Sequence, residues 1–536
     1  MSVPRLLGWL NPQRLVHLAI RIRPDSEFVI FQDQRLTRRQ VFARVEQLAA
    51  GLQALGIQPG DRVATLLPAC PEAVYTILLR SVLGTVNVPL NPLLAERELR
   101  HILADCGARV VITTRNWYGL DHPARLARLL PDLPTLRHIL VRDVTDGDGR
   151  TILPLNDVMS LGKSFDHAKD VPLRKVSVSA DDTAMILYTS GSTGRPKGVA
   201  HNGRSWSRLL GSAGSRLNLS PLRCLLLPFP PFQYAGILGI VVALLAGGKV
   251  ILMDRFDPQQ ALEYIQTEKV SQIGGSPTMY RLLMCTPGQE RYDLSSVQRV
   301  TFSTEPLPFD LVQALHERFR CHLENFYSTT ETMLISWTNL EDTWERVATT
   351  VGKPVPGARV HIVDDERRPL PVGARGEIAV RTSTMMMGYH NDPGLTAQVL
   401  DAEGWFYTGD IGYFGEDGYL RLVDRKKDMI LRGGQNIYPA EIEQHLEHHP
   451  AVRRAGVIGV PSKMGGEAVW AYLELQPGAR LTVKEALNFC RGQIAPFKMP
   501  EQVRFVERLP MTATNKVQKF RLRELAAQEL RTDATA

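Results

Sequence analysis

An α/β fold in two parts is what this sequence predicts: a large N-terminal α/β domain of parallel sheets covered by helices, with a small β-barrel-like subdomain, and a small separate α+β domain at the C-terminus. Three observations carry the prediction. Short apolar runs alternate with amphipathic stretches from Thr37 to Asn325, the order that builds helix-covered parallel sheets. Two closely spaced strand patterns, at 358–363 and 376–381, are parted only by a Pro- and Gly-containing stretch, which suits an antiparallel or barrel-like piece. Beyond the charged cluster Asp424–Asp428, enough further elements follow to make a domain of their own.

At 536 residues the chain exceeds what one hydrophobic core organises, so at least two domains are expected. From Thr37 to Gly56 the apolar residues Val41, Val45, Leu48, Leu52 and Leu55 recur in steps of four and three, with Thr37 as a cap and Gly56 as a stop. That spacing predicts an amphipathic helix. Extended runs are predicted at 62–67, 85–90, 109–113, 137–141, 249–253, 270–273, 299–302 and 321–325, with a helical pattern after Pro71. Past Asp424 the pattern gives a helix at 439–447, strands at 455–460 and 468–475, a helix at 482–493 and a strand at 502–506. The boundaries follow: residues 1–424, a linker at 425–428, and residues 429–536.

Composition narrows the class. With 44% hydrophobic and 22% charged residues the chain reads as soluble and globular. The six cysteines show no paired spacing that suggests zinc or a disulfide framework, which makes a reducing cytoplasm the simplest compartment. A net charge of +7 suits anionic partners in general, but no basic run with interleaved aromatics points to nucleic acid. The N-terminus has too short an apolar core and too many arginines for a secretory signal. The longest apolar run, Ile237–Gly248, is short of a membrane span and reads as a buried helix. The histidines of His445, His448 and His449 lack acidic partners in the pattern and read as solvated rather than metal-binding.

The richest stretch is Met185–Val199, MILYTSGSTGRPKGV. An apolar run empties into a Gly-, Ser- and Thr-rich segment closed by a cation. Glycines let backbone N–H groups approach an anion, hydroxyls donate further hydrogen bonds and Lys197 adds a mobile charge, so polyphosphate is the natural guest. The phosphate loop G-x-x-x-x-G-K-[ST] does not fit, because Pro196 stands five residues after Gly191. Residue for residue, Thr189–Gly198 resembles the T-S-G-S/T-T-G-x-P-K-G signature of the AMP-forming adenylating enzymes, the superfamily of acyl-CoA synthetases, luciferases and peptide-synthetase adenylation domains. Most similar is a bacterial-type acyl-CoA ligase. The resemblance implies that Thr189, Ser190, Gly191, Ser192, Thr193, Gly194 and Lys197 hold the phosphates of ATP, with Thr189 counted among the catalytic groups.

Four further motifs occur in the order of that superfamily. Asn325–Glu331, NFYSTTE, ends a predicted strand, where α/β sheets place ligands. It resembles Y-G-x-T-E, which implies that Tyr327 stacks on adenine, Thr330 reaches a phosphate and Glu331 holds Mg²⁺; Ser328 departs from the usual glycine. Trp405–Asp410 resembles W-x-x-T-G-D and implies Asp410 as acceptor of both ribose hydroxyls. In Asp424–Pro439 the resemblance gives Arg425 to the ribose, Lys427 to a hinge, and Gly433 and Gly434 to the pantetheine arm of CoA. Pro510–Lys516 resembles P-x-T-x-x-G-K, with Asn515 for the glycine, and implies Lys516 as the lysine bridging substrate carboxylate and α-phosphate.

The resemblance implies a two-step reaction, with a mobile C-terminal domain: MgATP and a carboxylic acid give an acyl-adenylate, and CoA then takes the acyl group. The region Pro228–Gly236 lacks the aspartate that amino-acid-activating relatives use, so an α-amino acid is not expected. Gln233 and Tyr234, with Ser303, Thr304 and Glu305 in place of a frequent Gly-Gly-Ala, are expected to line the acyl site. Bulkier residues there narrow it, which predicts a medium-chain, cyclic or aromatic acid. A free-standing carrier protein remains the alternative acceptor, and a homodimer is left open.

Overall fold

The helix read from the first amphipathic stretch forms over Arg38–Ala54. Thr37 Oγ1 accepts from the Gln40 backbone N–H at 3.2 Å, and Gln40 Oε1 accepts from the Thr37 N–H at 2.8 Å, a closed capping box. Gly56 follows its end at φ 81°, a backbone angle that favours glycine. Val41, Val45, Leu48 and Leu52 are buried, so the stripe seen in the sequence is the core face.

The computed structural model describes residues 12–148, 151–162, 178–190, 196–217, 224–303, 307–432, 435–461, 467–491, 493–494, 498–511 and 516–535. They pack as two units, Met1–Arg359 with Val380–Phe406, and Val360–Ala379 with Tyr407–Ala536. Among the described residues no helix is long and apolar enough to cross a membrane.

The first unit holds two large sheets. In the eight-stranded one, the parallel strands Arg62–Leu66, Val86–Pro89, Val110–Thr114 and His138–Arg142 match predicted runs. Two strands flank them: β1 (Thr183–Ser190) and β2 (Pro196–Asn202), with Gly388–Tyr389 at the edge beyond β2. The nine-stranded sheet contains β3 (Cys224–Leu227), which is followed in the chain by helix α1 (Tyr234–Leu245), then β4 (Gln272–Gly275), β5 (Arg299–Phe302), β6 (His322–Thr329) and β7 (Met333–Trp337). β3 to β6 pair in parallel, and β7 returns antiparallel to β6. The predicted buried helix is α1: its inner residues Ile237, Ile240 and Leu244 are at or below 1% exposure.

A four-stranded sheet joins Ala358–Val363, Gly376–Thr382, β8 (Phe406–Phe414) and β9 (Leu420–Arg425), where the sequence predicts closely spaced strands. Helix α2 (Pro439–Glu447) packs on a three-stranded sheet of Val452–Pro461, Glu467–Leu475 and Gln502–Val506, around Ile442, Leu446, Val457 and Leu473. The helix expected to run to Gln493 ends at Cys490, because Arg491 takes extended angles (φ −66°, ψ 124°). The histidines of α2 are packing groups: His445 stacks on Phe489 at 4.8 Å and His449 meets the same ring edge-on at 4.9 Å. Among the described residues no group of three potential ligands is placed to hold a metal ion by itself.

Candidate functional site

The strands on either side of the hydroxyl-rich stretch, β1 and β2, pair antiparallel. The apolar run Met185–Tyr188 predicts a strand emptying into a loop; the strand extends through Ser190 and pairs with β2, with Thr189 opposite Lys197 and Ser190 opposite Pro196. The tight strand pairing needs Gly198: a Cβ there would lie 2.9 Å from both Ile186 Cγ2 and Tyr188 Cζ. Gly191, Ser192, Thr193 and Gly194 lie outside the described residues. Thr189 is described, and its Oγ1 is a buried oxygen with no hydrogen-bond partner among the described residues. A buried hydroxyl there fits an anionic guest.

Lys197 does not point alone into solvent. Its Nζ donates to Glu331 Oε1 at 3.0 Å and lies 4.2 Å from the ring centre of Tyr389, whose hydroxyl donates to the same carboxylate oxygen at 2.8 Å. Burial by itself would raise the Glu331 pKa, but the Lys197 charge and the two hydrogen bonds outweigh it and hold the carboxyl below its ordinary value. Glu331 is thus a buried carboxylate kept ionised. Tyr389 is held protonated, first by burial and then by the neighbouring carboxylate.

The loop carrying Glu331 is fixed from three sides. His201, fully buried on β2, has its Nε2 2.7 Å from the Thr330 carbonyl. The Met386 N–H donates to the Glu331 carbonyl at 2.8 Å, and Thr384 Oγ1 donates to the Thr332 carbonyl at 2.6 Å. Met333 closes the turn at φ 58°, a rare angle for a side-chain-bearing residue and one tolerated where neighbours fix it. Burial pushes the His201 pKa down to about 4, against the hydrogen bond to Thr330 and the Glu331 charge, so the ring is neutral at physiological pH. Tyr327 is buried on β6 opposite Ser336 of β7, and Thr330 is half-buried in the turn that follows.

Two of the acyl-site candidates, Gln233 and Tyr234, stand at the start of α1. Gln233 is the N-cap of α1, and its N–H donates to Pro230 O at 3.0 Å. The next turn needs Gly236, since a Cβ there would fall 2.2 Å from Pro230 O. Tyr234 is buried, and Ser303 is buried just after β5; Thr304 and Glu305 lie outside the described residues. Between α1 and the sheet runs a mostly apolar cavity of about 80 Å³, lined by Phe229, Leu238, Val242 and Gly274 among others.

In the second unit the two ribose candidates meet. Asp410 on β8 stands directly opposite Arg425 on β9, and Arg425 Nε lies 3.3 Å from Asp410 Oδ1. Gly409, at φ 71°, donates its N–H to Glu377 Oε1 at 2.9 Å, and Thr408 Oγ1 donates to Ile378 O at 2.9 Å, which sets the turn before Asp410. Lys426 is pinned between Glu377 at 3.0 Å and Asp365 at 2.9 Å. Lys427 lies in the single helical turn Lys426–Asp428, with Asp428 bonded to Arg523 at 3.1 Å. Lys516 is exposed, beside the short bridge between Met511 and Val517. Gly433 and Gly434 lie outside the described residues.

Tyr389, His201 and Glu377 escaped sequence reading. Tyr389 is 192 residues from Lys197, so no local pattern joins them. The one available signal was the cramped Met386–Tyr389 segment, where Gly388 takes φ 142°.

Residues 17–390 match the model of the AMP-binding enzyme family, and residues 441–516 match that of the AMP-binding enzyme C-terminal domain. A feruloyl-CoA synthase from Amycolatopsis sp is 35% identical over 508 residues, covering 94% of this chain and 96% of that protein. The human mitochondrial medium-chain acyl-CoA ligase is 31% identical over 535 residues, covering 95% and 86%. A solved anthranilate CoA ligase in complex with anthranoyl-AMP superposes with a TM-score of 0.86 at 26% identity, covering 99% of this chain and 100% of that one.

Proposed function

The chain belongs to the AMP-binding enzyme family and is an ATP-dependent acyl-CoA ligase, and on that premise we propose the roles its residues take. The observation that carries the proposal is the cluster of Lys197, Tyr389 and ionised Glu331 beside the Thr189 hydroxyl, which has no partner among the described residues. Thr189 to Lys197 hold the β- and γ-phosphates of ATP. Tyr327 takes adenine, Thr330 a phosphate, and Asp410 with Arg425 the ribose. The donor chemistry fits Mg²⁺, a hard cation that prefers carboxylate and phosphate oxygen, and Glu331 is the residue assigned to hold it. When bound, the ion neutralises phosphate charge.

In the first step a carboxylate oxygen attacks the α-phosphorus, the bond to the bridging oxygen breaks and pyrophosphate leaves. Lys516, a compact and mobile cation, offsets the charge that builds on the transferring group. In the second step the CoA thiolate attacks the acyl carbon and AMP departs. We assign the turn at 425–428 as the hinge that removes Lys516 between the steps, and Gly433–Gly434 as the passage for pantetheine.

The acid is assigned to the cavity along α1, entered past Gln233, Tyr234 and Ser303. Its apolar lining and the named relatives support a medium-chain, cyclic or aromatic acid. None of the six cysteines is in a disulfide, which supports a reducing, cytoplasmic setting. A panel of carboxylic acids scored for pyrophosphate release with ATP alone, then given CoA or a holo-carrier protein, tests all of this. We expect adenylation of cyclic or aromatic acids and thioester on CoA. Thioester on the carrier alone would replace CoA as acceptor, and no pyrophosphate from any acid would overturn the mechanism.

A further inference from the structure

The cavity along α1 is mostly apolar, and its polar lining is Lys249, Gln272, Thr301 and Trp337. From the helix, Ala235, Leu238, Gly239, Val242 and Ala246 face it, at the three-and-four spacing of one helical stripe. Small residues in that stripe leave the space open. The sheet supplies Gly274, Phe326 and Leu334, and with them Thr301 of β5 and Trp337 of β7. Trp337 is 3% exposed and Thr301 5% exposed. Trp337 Nε1 and Thr301 Oγ1 are both buried, and among the described residues neither has a hydrogen-bond partner.

Unpaired polar atoms in a core are rare and call for a partner. The Trp337 ring is held by its packing, and Thr301 stands on backbone fixed within the sheet. The Trp337 ring packs on Phe326 at 5.3 Å, and the Thr301 carbonyl accepts from the Tyr280 hydroxyl at 2.9 Å. An indole N–H only donates, whereas a threonine hydroxyl donates or accepts. The missing partner must therefore offer an acceptor oxygen. A second carboxylate is disfavoured, because the one cation lining the cavity, Lys249, is already paired with Glu268 at 2.8 Å and Glu27 at 3.4 Å.

We propose that the acid this ligase activates carries an uncharged oxygen remote from its reacting carboxylate, a keto, hydroxyl or ether oxygen, which accepts from Trp337 Nε1 and pairs with Thr301 Oγ1. This rests on the acyl-CoA ligase reading and on the α1 cavity as the acyl site. A cavity of about 80 Å³ has room for roughly half a dozen water-sized groups, enough for a ring bearing such an oxygen.

The test compares cyclohexanepropanoic acid with the same acid carrying a ketone on the far ring carbon. Pyrophosphate release gives kcat/KM for each, and calorimetry gives the affinity of each for the full-length enzyme. The ketone acid is expected to be favoured roughly tenfold by both measures, the discrimination one neutral hydrogen bond supplies. Thr301→Val, which keeps shape, and Trp337→Phe, which keeps an aromatic ring but shortens it, each remove a donor and should bring that ratio towards one whatever their absolute rates. Equal or weaker binding of the ketone acid, or a ratio unmoved in both variants, overturns the proposal. Preferential binding of the ketone acid with no pyrophosphate from any acid would instead keep the polar cavity and sink the ligase reading.

Discussion

At the scale of single residues, Glu331 shows how charge and burial are set against each other. Its folded pKa lies below the unfolded value, so the stability it contributes is present above about pH 4.5 and is lost as pH falls through the folded value. Lys197→Met removes the cation and leaves burial as the dominant influence, which reverses the sign. The variant should lose about 2–4 kcal/mol at neutral pH. Its deficit relative to the parent should shrink as acid protonates Glu331, and urea midpoints measured from pH 7 down to pH 4 would show the gap closing. Tyr389→Phe removes one hydrogen bond to the same ionised oxygen and should cost about 1.5–3 kcal/mol, with slowed adenylation in single-turnover experiments. His201 behaves in the other chemical sense with the same direction. Kept neutral by burial, it must gain a proton on unfolding in mild acid, so its contribution holds above pH 6.5 and is lost as pH falls towards 4. His201→Gln, which keeps a donor for Thr330 O and cannot titrate, should flatten the stability profile between those values.

Elements carry the next level of argument, and α1 is the informative one. Its start is fixed by Pro230, whose carbonyl receives the Gln233 N–H and leaves no room for a Cβ at residue 236. Gly236→Ala must shift the first turn of α1, and with it Gln233 and Tyr234. We expect KM for the acid to rise severalfold, with the KM for ATP little changed, in steady-state assays with each substrate varied. The sequence made this element legible because a twelve-residue apolar helix at 234–245 is a strong local pattern. Parallel strands such as Arg299–Phe302 were equally legible, being short apolar runs between helical stretches. The β1–β2 pairing was not, since the cationic half of the signature, Pro196–Lys197–Gly198, carries few of the β-branched and aromatic residues that mark a strand. Nor was the pairing of Asp410 with Arg425: cross-strand register places them opposite, and register is a property of two strands together. Motif resemblance named Glu331 and Lys197 singly. Their contact, and the role of Tyr389, needed the fold to bring β2, the turn after β6 and the 388–389 strand together.

For the whole molecule the question is how one chain performs two chemistries, and the roles proposed for Lys516 and residue 427 separate them. Lys516 is exposed in the second unit, as a group must be if it serves one step and is absent from the next. Residue 427 lies within a single helical turn whose neighbours are pinned, Lys426 by Glu377 and Asp365 and Asp428 by Arg523. A pivot between two anchored residues concentrates rotation in few backbone angles. Lys427→Pro fixes one of those angles near −65° and should block the rotation while leaving adenylation intact. Lys516→Ala should do the opposite. Both variants are to be run in two assays, pyrophosphate release with acid and ATP, and thioester formation from supplied acyl-adenylate and CoA. The expected pattern is crossed: Lys516→Ala loses the first by about a hundredfold or more, in line with removal of a charge-stabilising group, and keeps the second. Lys427→Pro keeps the first and loses the second. Parallel losses in both assays would mean that the two steps share one arrangement of the chain, and that the turn at 425–428 is a structural corner with no part in the catalytic cycle.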